Sequence, residues 1–261
     1  MVLIRNGIKH ILDPVAFAED QLFWHTLDPW QKDVLRATDR QMILLCSRQA
    51  GKSQICAIKA VWTALHHPDS LTLVISASQR QSGELFRVIT KEINKLNDPP
   101  QKVEDNKLSL TLASGSRICA LPSAEGTIRG FSNPRLVLID EAARVSDGIY
   151  TAIRPMLATS SEDSQLILLS TSAGRQGFFF DTWHDESKHW KKISVLAKDI
   201  PRISQAFLDQ EYETLGRYFY SQEYECEFIE GERAVFRYDD IIGAFSPEVK
   251  STNILGGILD D

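Results

Sequence analysis

The sequence predicts an α/β fold in which a mostly parallel central sheet carries helices on both faces. Continuous apolar runs of four to six residues, without polar alternation, recur along the chain and are typical of strands buried on both faces. Helical segments separate these runs, and strands that alternate with helices form parallel sheets. The predicted strands span residues 42–46, 71–76, 136–139, 165–169 and 193–196.

Capping residues and apolar periodicity place the helices. Residues 28–38 open with Asp-Pro, an N-cap followed by the residue that is favoured at the first helical position. Ala, Ile and Lys dominate residues 53–65, and an apolar stripe marks residues 79–96 as a long amphipathic helix. Two apolar runs within residues 108–121 flank Ala-Ser-Gly-Ser, which predicts a β-hairpin.

Length and composition fit one large domain, or one domain with a small appendage. The 261 residues are 43% hydrophobic and 25% charged, which suffices for a full core. We expect residues 1–200 to form the core, with 1–27 as an irregular lead-in. Residues 201–240 are helical in character and rich in Glu, Tyr and Phe. They predict a small helical linker subdomain, followed by a tail at 241–261.

Charge and cysteine usage limit the possible partners. The net charge of −6 argues against a dedicated basic module for nucleic acids. Any such contact must be local, or weak per subunit and multiplied by assembly, or carried partly by another domain. No apolar run approaches the ~20 residues that span a bilayer. Four scattered cysteines without a CxxC pair predict neither disulfides nor a zinc site, and indicate a reducing cytosol.

Residues 46–53, Cys-Ser-Arg-Gln-Ala-Gly-Lys-Ser, have the pattern of a phosphate-binding loop, or P-loop, although Cys46 replaces the usual first glycine. They lie between a predicted strand and a predicted helix, the context that such a loop requires. Loop and helix N–H groups would bind the phosphates, Lys52 would neutralise them, and Ser53 would bind Mg²⁺. The predicted nucleotide-binding residues of the loop are Ser47, Arg48, Gln49, Ala50, Gly51, Lys52 and Ser53.

A second motif, Leu-Val-Leu-Ile-Asp-Glu at residues 136–141, ends a predicted strand in two acids. Asp140 suits a carboxylate that holds the Mg²⁺ water shell, and Glu141 suits one that orients and polarises an attacking water. Alone the motif is weak, because an acidic helix start after a strand is common. Downstream of a phosphate-binding loop it is strong, since both must meet at one Mg²⁺. Together they predict ATP hydrolysis.

Two further motifs also have ordinary structural explanations. Ser170, Thr171 and Ser172 follow a predicted strand, where they can sense a γ-phosphate or simply cap a turn. Gln31 can pair with an adenine edge. Trp30 can stack on a base or pack in an amphipathic helix.

Arg129 lies on a loop between two glycines, eleven residues before Asp140, where it can be presented to a neighbouring subunit. Arginine supplies charge to phosphoryl-transfer transition states, but without further context an ordinary surface-loop arginine is the simpler interpretation. The competing arginines for this role are Arg48, Arg135, Arg154 and Arg175.

The motifs together resemble the large terminase subunits of tailed double-stranded DNA bacteriophages, the ATP-driven motors that package viral genomes. They match that family in order and spacing over about residues 25–235, and residues 219–228 look like its linker region. The resemblance implies a P-loop NTPase of the ASCE, RecA-like type that uses ATP and Mg²⁺. The segments that carry the resemblance are Trp30-Gln31, Ser47-Arg-Gln-Ala-Gly-Lys-Ser53, Thr127-Ile-Arg-Gly130, Leu138-Ile-Asp-Glu-Ala142 and Ser170-Thr-Ser172.

The resemblance also implies roles for individual residues. Arg48 would respond to the γ-phosphate and couple hydrolysis to movement, and Arg129 matches an arginine that reaches into the adjacent subunit's site. Residues 170–172 would link hydrolysis to subdomain rotation. The residues that keep the roles given above are Lys52, Ser53, Asp140 and Glu141.

Partners follow from the same resemblance. It implies double-stranded DNA, a portal protein and a small terminase subunit, in the host cytoplasm and transiently on the procapsid. It also implies a ring when the motor is docked, although an isolated ATPase domain can be monomeric. Large terminases carry a C-terminal nuclease domain, and this chain stops at Asp261, where that domain would begin. We therefore expect an ATPase domain without nuclease activity.

Two rival functions share some of these sequence features. A DNA-stimulated helicase or translocase of another P-loop family also carries Asp-Glu-Ala-Ala and an upstream Gln. A two-lobed helicase needs a second motor domain, and about 90 residues after Ser172 are too few for one. A nucleotide-gated binding switch that scarcely hydrolyses ATP is the other rival, although such a switch could dispense with Glu141.

Overall fold

The computed structural model describes residues 2–122, 124–158 and 160–229, and within them one eight-stranded sheet forms the centre of the molecule. Helices cover both faces of this sheet. The strands are β1 (Gln41–Cys46), β2 (Leu71–Ser76), β3 (Lys102–Asp105), β4 (Ser109–Leu112), β5 (Arg117–Leu121), β6 (Leu136–Asp140), β7 (Gln165–Ser170) and β8 (Lys191–Val195).

Helices connect most of the strands. Short 3₁₀ turns follow β6 at Ala142–Arg144 and β8 at Ala197–Asp199. The helices are α1 (Val2–Leu12), α2 (Pro14–Gln21), α3 (Pro29–Arg36), α4 (Lys52–His66), α5 (Gln79–Lys95), α6 (Glu125–Ile128), α7 (Asp147–Ala158), α8 (Gly177–His184) and α9 (Gln205–Tyr224).

The strand order is β3-β4-β5-β2-β6-β7-β1-β8. The six strands from β5 to β8 in this order are mutually parallel, whereas β4 runs antiparallel to both β3 and β5. Strand β7 lies between β1, which leads into the phosphate-binding loop, and β6, which ends in Asp140. The predicted mostly parallel α/β sheet and the predicted hairpin, now β4 and β5, are confirmed.

Two apolar clusters sandwich the sheet. Alternate strand residues face opposite sides, so Leu44 and Val74 pack with α2, α4 and α5, whereas Ile43 and Leu73 pack with α7 and α8. Each fully buried aliphatic side chain of this kind contributes about 1.5–3 kcal/mol relative to its exposed state. Helix α4 is buried continuously from Ile55 to Val61, which fixes the helix that follows the phosphate-binding loop.

The irregular lead-in predicted for residues 1–27 is wrong, because α1 and α2 occupy most of it. The Asp13 carboxylate accepts a hydrogen bond from the Val15 backbone N–H at 3.0 Å and caps α2, with Pro14 at its first position. Val15 and Phe17 are buried against the core. Strand β3 was also missed, since its sequence Lys-Val-Glu-Asp lies at an exposed sheet edge and lacks an apolar pattern.

Residues 201–229 are largely helical, as predicted. Helix α9 contains a break at Gly216, whose φ of 73° lies in the left-handed region. Its last turn lies close to the phosphate-binding loop, because the Glu223 carbonyl accepts a hydrogen bond from the Arg48 N–H. The division into a core and a linker subdomain stays a prediction, and the tail predicted at 241–261 lies outside the described residues.

Candidate active site

Three strand ends converge at the carboxyl edge of the sheet. The register pairs Leu45 of β1 with Ser170 of β7, and Leu169 of β7 with Asp140 of β6. The phosphate-binding loop, the acidic pair and the Ser-Thr-Ser segment therefore follow three adjacent strands. Carboxyl ends of parallel strands are where open α/β sheets bind ligands.

The phosphate-binding loop contains two residues in the left-handed region, Gln49 at φ 63° and Gly51 at φ 90°. Alternating backbone conformations of this kind turn N–H groups into an anion-binding concavity. Glycine is required at position 51 for two reasons. A residue with a side chain would be strained at this φ, and its Cβ would lie only 3.2 Å from Nε2 of Gln31. Lys52 and Ser53 then open α4, whose first N–H groups lack intrahelical acceptors and favour anions.

The first residues of the phosphate-binding loop are hydrogen-bonded to β8 and α9. The Ser47 N–H donates to the Val195 carbonyl of β8 at 2.8 Å, and the Arg48 N–H donates to the Glu223 carbonyl of α9 at 2.7 Å. The Arg48 side chain is mostly exposed, with its Nη1 3.8 Å from Oε2 of Glu223. The loop therefore connects directly to the last turn of α9.

Glu141 is fixed in an unusual conformation between two cations. Its φ of 51° is left-handed, which costs a non-glycine residue about 1–2 kcal/mol and is typical of functional sites. Its Oε1 lies 3.2 Å from Nζ of Lys52, and its Oε2 lies 2.8 Å from Nη1 of Arg144. The loop lysine and the predicted catalytic carboxylate are thus in direct contact.

Arg144 is a site residue that the sequence analysis missed. Besides Glu141, its Nη1 donates to Oγ1 of Thr171 at 3.1 Å, and its Nη2 lies 3.6 Å from Oε1 of Glu223. One guanidinium therefore joins the acidic pair, the Ser-Thr-Ser segment and α9. Its position three residues after Glu141, at the end of the 3₁₀ turn that Glu141 precedes, was the available sequence signal.

Asp140 and Ser53 carry side-chain oxygens of the kind that Mg²⁺ prefers as ligands. Burial raises the pKa of Asp140 to about 6, and the neighbouring Glu141 adds to the rise, whereas Lys52 and a hydrogen bond with Ser53 oppose it. Within the described ranges there is no group of three or more His, Cys, Asp or Glu that could hold a metal. A site with only one or two protein ligands is compatible with Mg²⁺, because this ion usually retains several waters and binds substrate phosphates.

The Ser-Thr-Ser segment connects the acidic pair to α9. Ser172 Oγ donates to the Gln222 carbonyl at 2.9 Å, and Thr171 is held by Arg144. Ser170 is fully buried, and its hydroxyl has no hydrogen-bond partner in the described part of the chain. The same holds for Ser47. Buried hydroxyls without partners are unusual, and both lie at the edge where phosphates would bind.

Gln31 lies beside the phosphate-binding loop, because its Nε2 is 3.2 Å from the position that a Cβ on Gly51 would occupy. Its Oε1 accepts the Asp28 N–H at 3.0 Å, which completes a capping box at the start of α3. Arg202, another residue missed from the sequence, donates to Oδ2 of Asp28 at 2.7 Å and to the Ala50 carbonyl at 3.0 Å. Trp30 is half-buried against the core, and its Nε1 has no partner among the described residues.

The structure separates the candidate arginines. Arg135 pairs with Asp163 at 3.4 Å, and Arg154 donates to Oε1 of Gln41 at 2.7 Å. Because Gln41 and the residue after Arg135 begin strands, both arginines lie at the amino edge, away from the phosphate-binding loop of their own chain. The Arg175 Nε donates to the Phe228 carbonyl. Arg129 is exposed just after α6.

Comparison with known proteins decides the family. The family profile described as terminase large subunit, T4likevirus-type, N-terminal, matches residues 43–242. The chain belongs to this family. Membership confirms the family predicted from the motifs, the P-loop fold of the ASCE type and the class of ATP hydrolase, and it does not favour a helicase.

Relatives and solved structures agree with this membership. The chain is 24% identical to the terminase large subunit of Thermus phage G20c, over 86% of this chain and 53% of that protein. The chain thus spans about half the length of this curated relative.

Among solved structures, the large terminase ATPase domain of Thermus phage P74-26 is 17% identical at a TM-score of 0.72, covering 84% of this chain and all of that one. The large terminase of a thermophilic bacteriophage, solved in complex with ADP, is 14% identical at a TM-score of 0.65, covering 78% of this chain and 54% of that one. No helix in the described ranges is long and apolar enough to cross a membrane.

Proposed function

We propose that this chain is the ATP-hydrolysing motor domain of a viral DNA-packaging terminase. The convergence of Lys52, Asp140 and Glu141 at one edge of the sheet, with Lys52 and Glu141 3.2 Å apart, supports this function above all. The chain's similarity to a terminase ATPase domain, and to a terminase solved with ADP, is consistent with it.

Phosphate binding follows from the loop and from the start of α4. Backbone N–H groups around Gly51 bind the phosphates, and Lys52 neutralises their charge. Ser53 and Asp140, whose side chains are hydrogen-bonded, are the residues that would hold Mg²⁺, and the ion would supply positive charge to offset the negative charge of the phosphates. Gln31, whose amide lies beside Gly51, would contact the adenine of a bound nucleotide, as the sequence predicts.

Hydrolysis requires a water in line with the γ-phosphate. The Glu141 carboxylate accepts a hydrogen bond from that water and orients it for attack. Lys52 and Arg144 fix the two carboxylate oxygens, so the water meets an acceptor with a defined position. The left-handed backbone at Glu141 directs the side chain into the site.

Coupling to movement runs through the last turn of α9. Arg48 contacts Glu223 through its backbone N–H, and Ser172 contacts Gln222. A charge change at the phosphates therefore reaches α9 from the loop and from the Ser-Thr-Ser segment. Arg129, exposed on its loop, would complete the site of an adjacent subunit in a ring.

The whole motor would act on double-stranded DNA, together with a portal protein and a small terminase subunit, in the host cytoplasm and on the procapsid. Family membership supports these partners. A direct test measures ATP turnover with and without duplex DNA, alongside strand displacement from a forked duplex. Duplex-stimulated turnover without displacement is expected. ATP-dependent displacement of a strand would instead identify a helicase.

A further inference from the structure

An open groove of about 850 Å³ lies between α5 and the turn that joins β3 to β4, near the β3 edge of the sheet. Helix α5 forms one wall from Gln79 to Lys95, and residues 105–108 form the other. None of the residues that form it belongs to the nucleotide site. We call this feature the α5 groove.

Positive charge dominates the α5 groove. Its two acids are already paired, Glu84 with Arg87 at 2.7 Å and Asp105 with Lys102 at 2.9 Å. The cations that line the groove are Arg80, Arg87, Lys91, Lys95 and Lys107.

Three of these cations are exposed and have no carboxylate partner in the described part of the chain: Arg80, Lys91 and Lys107. Such a patch in a chain of net charge −6 indicates an anionic partner. Other lysines are engaged elsewhere. Lys191 pairs with Asp39 at 3.2 Å, and Lys192 donates to the carbonyls of Trp183 and Asp185.

The spacing of the charges fits a nucleic-acid backbone. Arg80, Arg87 and Lys91 recur at intervals of seven and four residues and so share one face of α5. From Arg80 to Lys91 the helix advances about 16 Å, the length of duplex axis over which one strand carries about five phosphates, at about 3.4 Å of axis each. Amides and hydroxyls that suit phosphate and sugar contacts intervene at Gln79, Thr90, Asn94 and Asn106.

The lining favours a duplex over a single strand. Its one aromatic residue, Phe86, is only 3% exposed and offers no stacking surface for unpaired bases. Single-strand sites usually combine positive charge with exposed aromatic side chains. A groove that presents cations and amides without exposed rings contacts the backbone alone.

The opposite face of α5 is fixed to the helix of the nucleotide site. Glu92 is fully buried and accepts hydrogen bonds from Nε2 of Gln54 and from Nε1 of Trp24, both at 2.9 Å. Gln54 follows Ser53 in α4. A displacement of α5 on ligand binding would therefore reach α4, the helix that carries Ser53, through the hydrogen bond between Glu92 and Gln54.

We propose that the α5 groove binds the phosphate backbone of double-stranded DNA, independently of base sequence. This inference rests on the proposed motor function and names the surface that contacts its substrate. Salt sensitivity follows, because each neutralised phosphate releases counterions.

The test compares two triple variants with an equal change in net charge. The groove variant carries Arg80→Glu, Lys91→Glu and Lys107→Glu. The control carries Lys188→Glu, Lys198→Glu and Arg217→Glu, which are exposed elsewhere. Fluorescence anisotropy measures binding of a labelled duplex between about 50 and 200 mM salt.

We expect the groove variant to lose at least about tenfold in affinity, and its slope of log K against log salt to shrink by about two to three. The control should stay within about threefold of the parent chain. Equal losses in both variants, or tighter binding of single strands than of duplex, would overturn the proposal.

Two further measurements separate this inference from the motor function itself. ATP turnover without DNA should be unchanged in both variants, which also shows that they fold. A glutamine version of the groove variant removes the charges without adding acids and should weaken binding less. A parent chain that hydrolyses ATP but binds no duplex would overturn the proposal that the α5 groove binds DNA, and it would leave the ATPase assignment intact.

Discussion

Arg144 Nη1 lies 2.8 Å from Oε2 of Glu141, within a single 3₁₀ turn that follows the strand of the acidic pair. The contact fixes the carboxylate that would orient the attacking water. Because the same guanidinium reaches Thr171 and Glu223, the orientation of Glu141 depends on two other segments of the chain.

Replacing Arg144 should therefore impair chemistry more than binding. We expect Arg144→Gln to lower kcat by about 10²-fold, since misplacing a catalytic group by about 1 Å costs that much, while the KM for ATP changes only a few-fold. Arg144→Lys should recover part of the rate. Steady-state kinetics on the three proteins checks this, and a raised KM with an unchanged kcat would show that Arg144 only binds nucleotide.

Arg202 should support nucleotide affinity, because it joins Asp28 to the Ala50 carbonyl of the loop. The side chain is about half exposed, so Arg202→Gln should cost about 1 kcal/mol, or about fivefold in the Kd of a non-hydrolysable ATP analogue. The matched control is Arg36→Gln, which breaks a surface pair with Asp13 at 2.8 Å. Titration calorimetry giving equal affinities for both variants would contradict the role.

Lys59 is a stability residue rather than a solvated helix lysine. Its buried ammonium donates to the carbonyls of Val34, Leu35 and Ala37 at the end of α3. Burial lowers the pKa of Lys59 to about 8, so all three donors are present at neutral pH. Lys59→Met removes the side-chain donor of the Val34 and Leu35 carbonyls, whereas the Ala37 carbonyl keeps the Gln165 amide. The change should destabilise the fold by about 2–4 kcal/mol.

Urea unfolding at pH 7 measures this effect, with the exposed Lys198→Met as the control expected to change stability by less than about 0.5 kcal/mol. A Lys59→Met protein as stable as the parent would mean that water satisfies the Val34 and Leu35 carbonyls, and that the end of α3 does not need the hydrogen bonds from Lys59 of α4.

Arg129 acting across a subunit interface predicts complementation. Mixing inactive Arg129→Ala chains with inactive Glu141→Gln chains under assembling conditions should restore part of the ATP turnover. Restoration follows because an intact arginine on one chain then faces an intact carboxylate on the other. No recovery at any mixing ratio would place the action of Arg129 within its own chain, or outside catalysis.

Strands β1, β6 and β7 were predictable because continuous apolar runs led directly into polar motifs. The same local reasoning missed α2, although Asp13-Pro14 repeats the signal read correctly at Asp28-Pro29. Polar edge strands such as β3 carry no apolar pattern, so whether such a segment forms a strand depends on its pairing with a neighbouring strand.

Contacts between distant segments were beyond the sequence. Nothing local shows that Lys59 is buried, that Arg202 reaches the phosphate-binding loop 152 residues away, or that Arg144 touches Thr171. The position of β7 beside β6 brings Thr171 to Arg144, and it arises only once the sheet has formed.

ATP turnover by Glu141→Gln, compared with Lys52→Ala, tests the central assignment most directly. Both variants should lose hydrolysis by at least about 10²-fold, because one lacks the water-orienting carboxylate and the other lacks the phosphate-neutralising charge. Glu141→Gln should still bind ATP with near-parent affinity, whereas Lys52→Ala should bind it weakly. Normal turnover by Glu141→Gln would contradict the account.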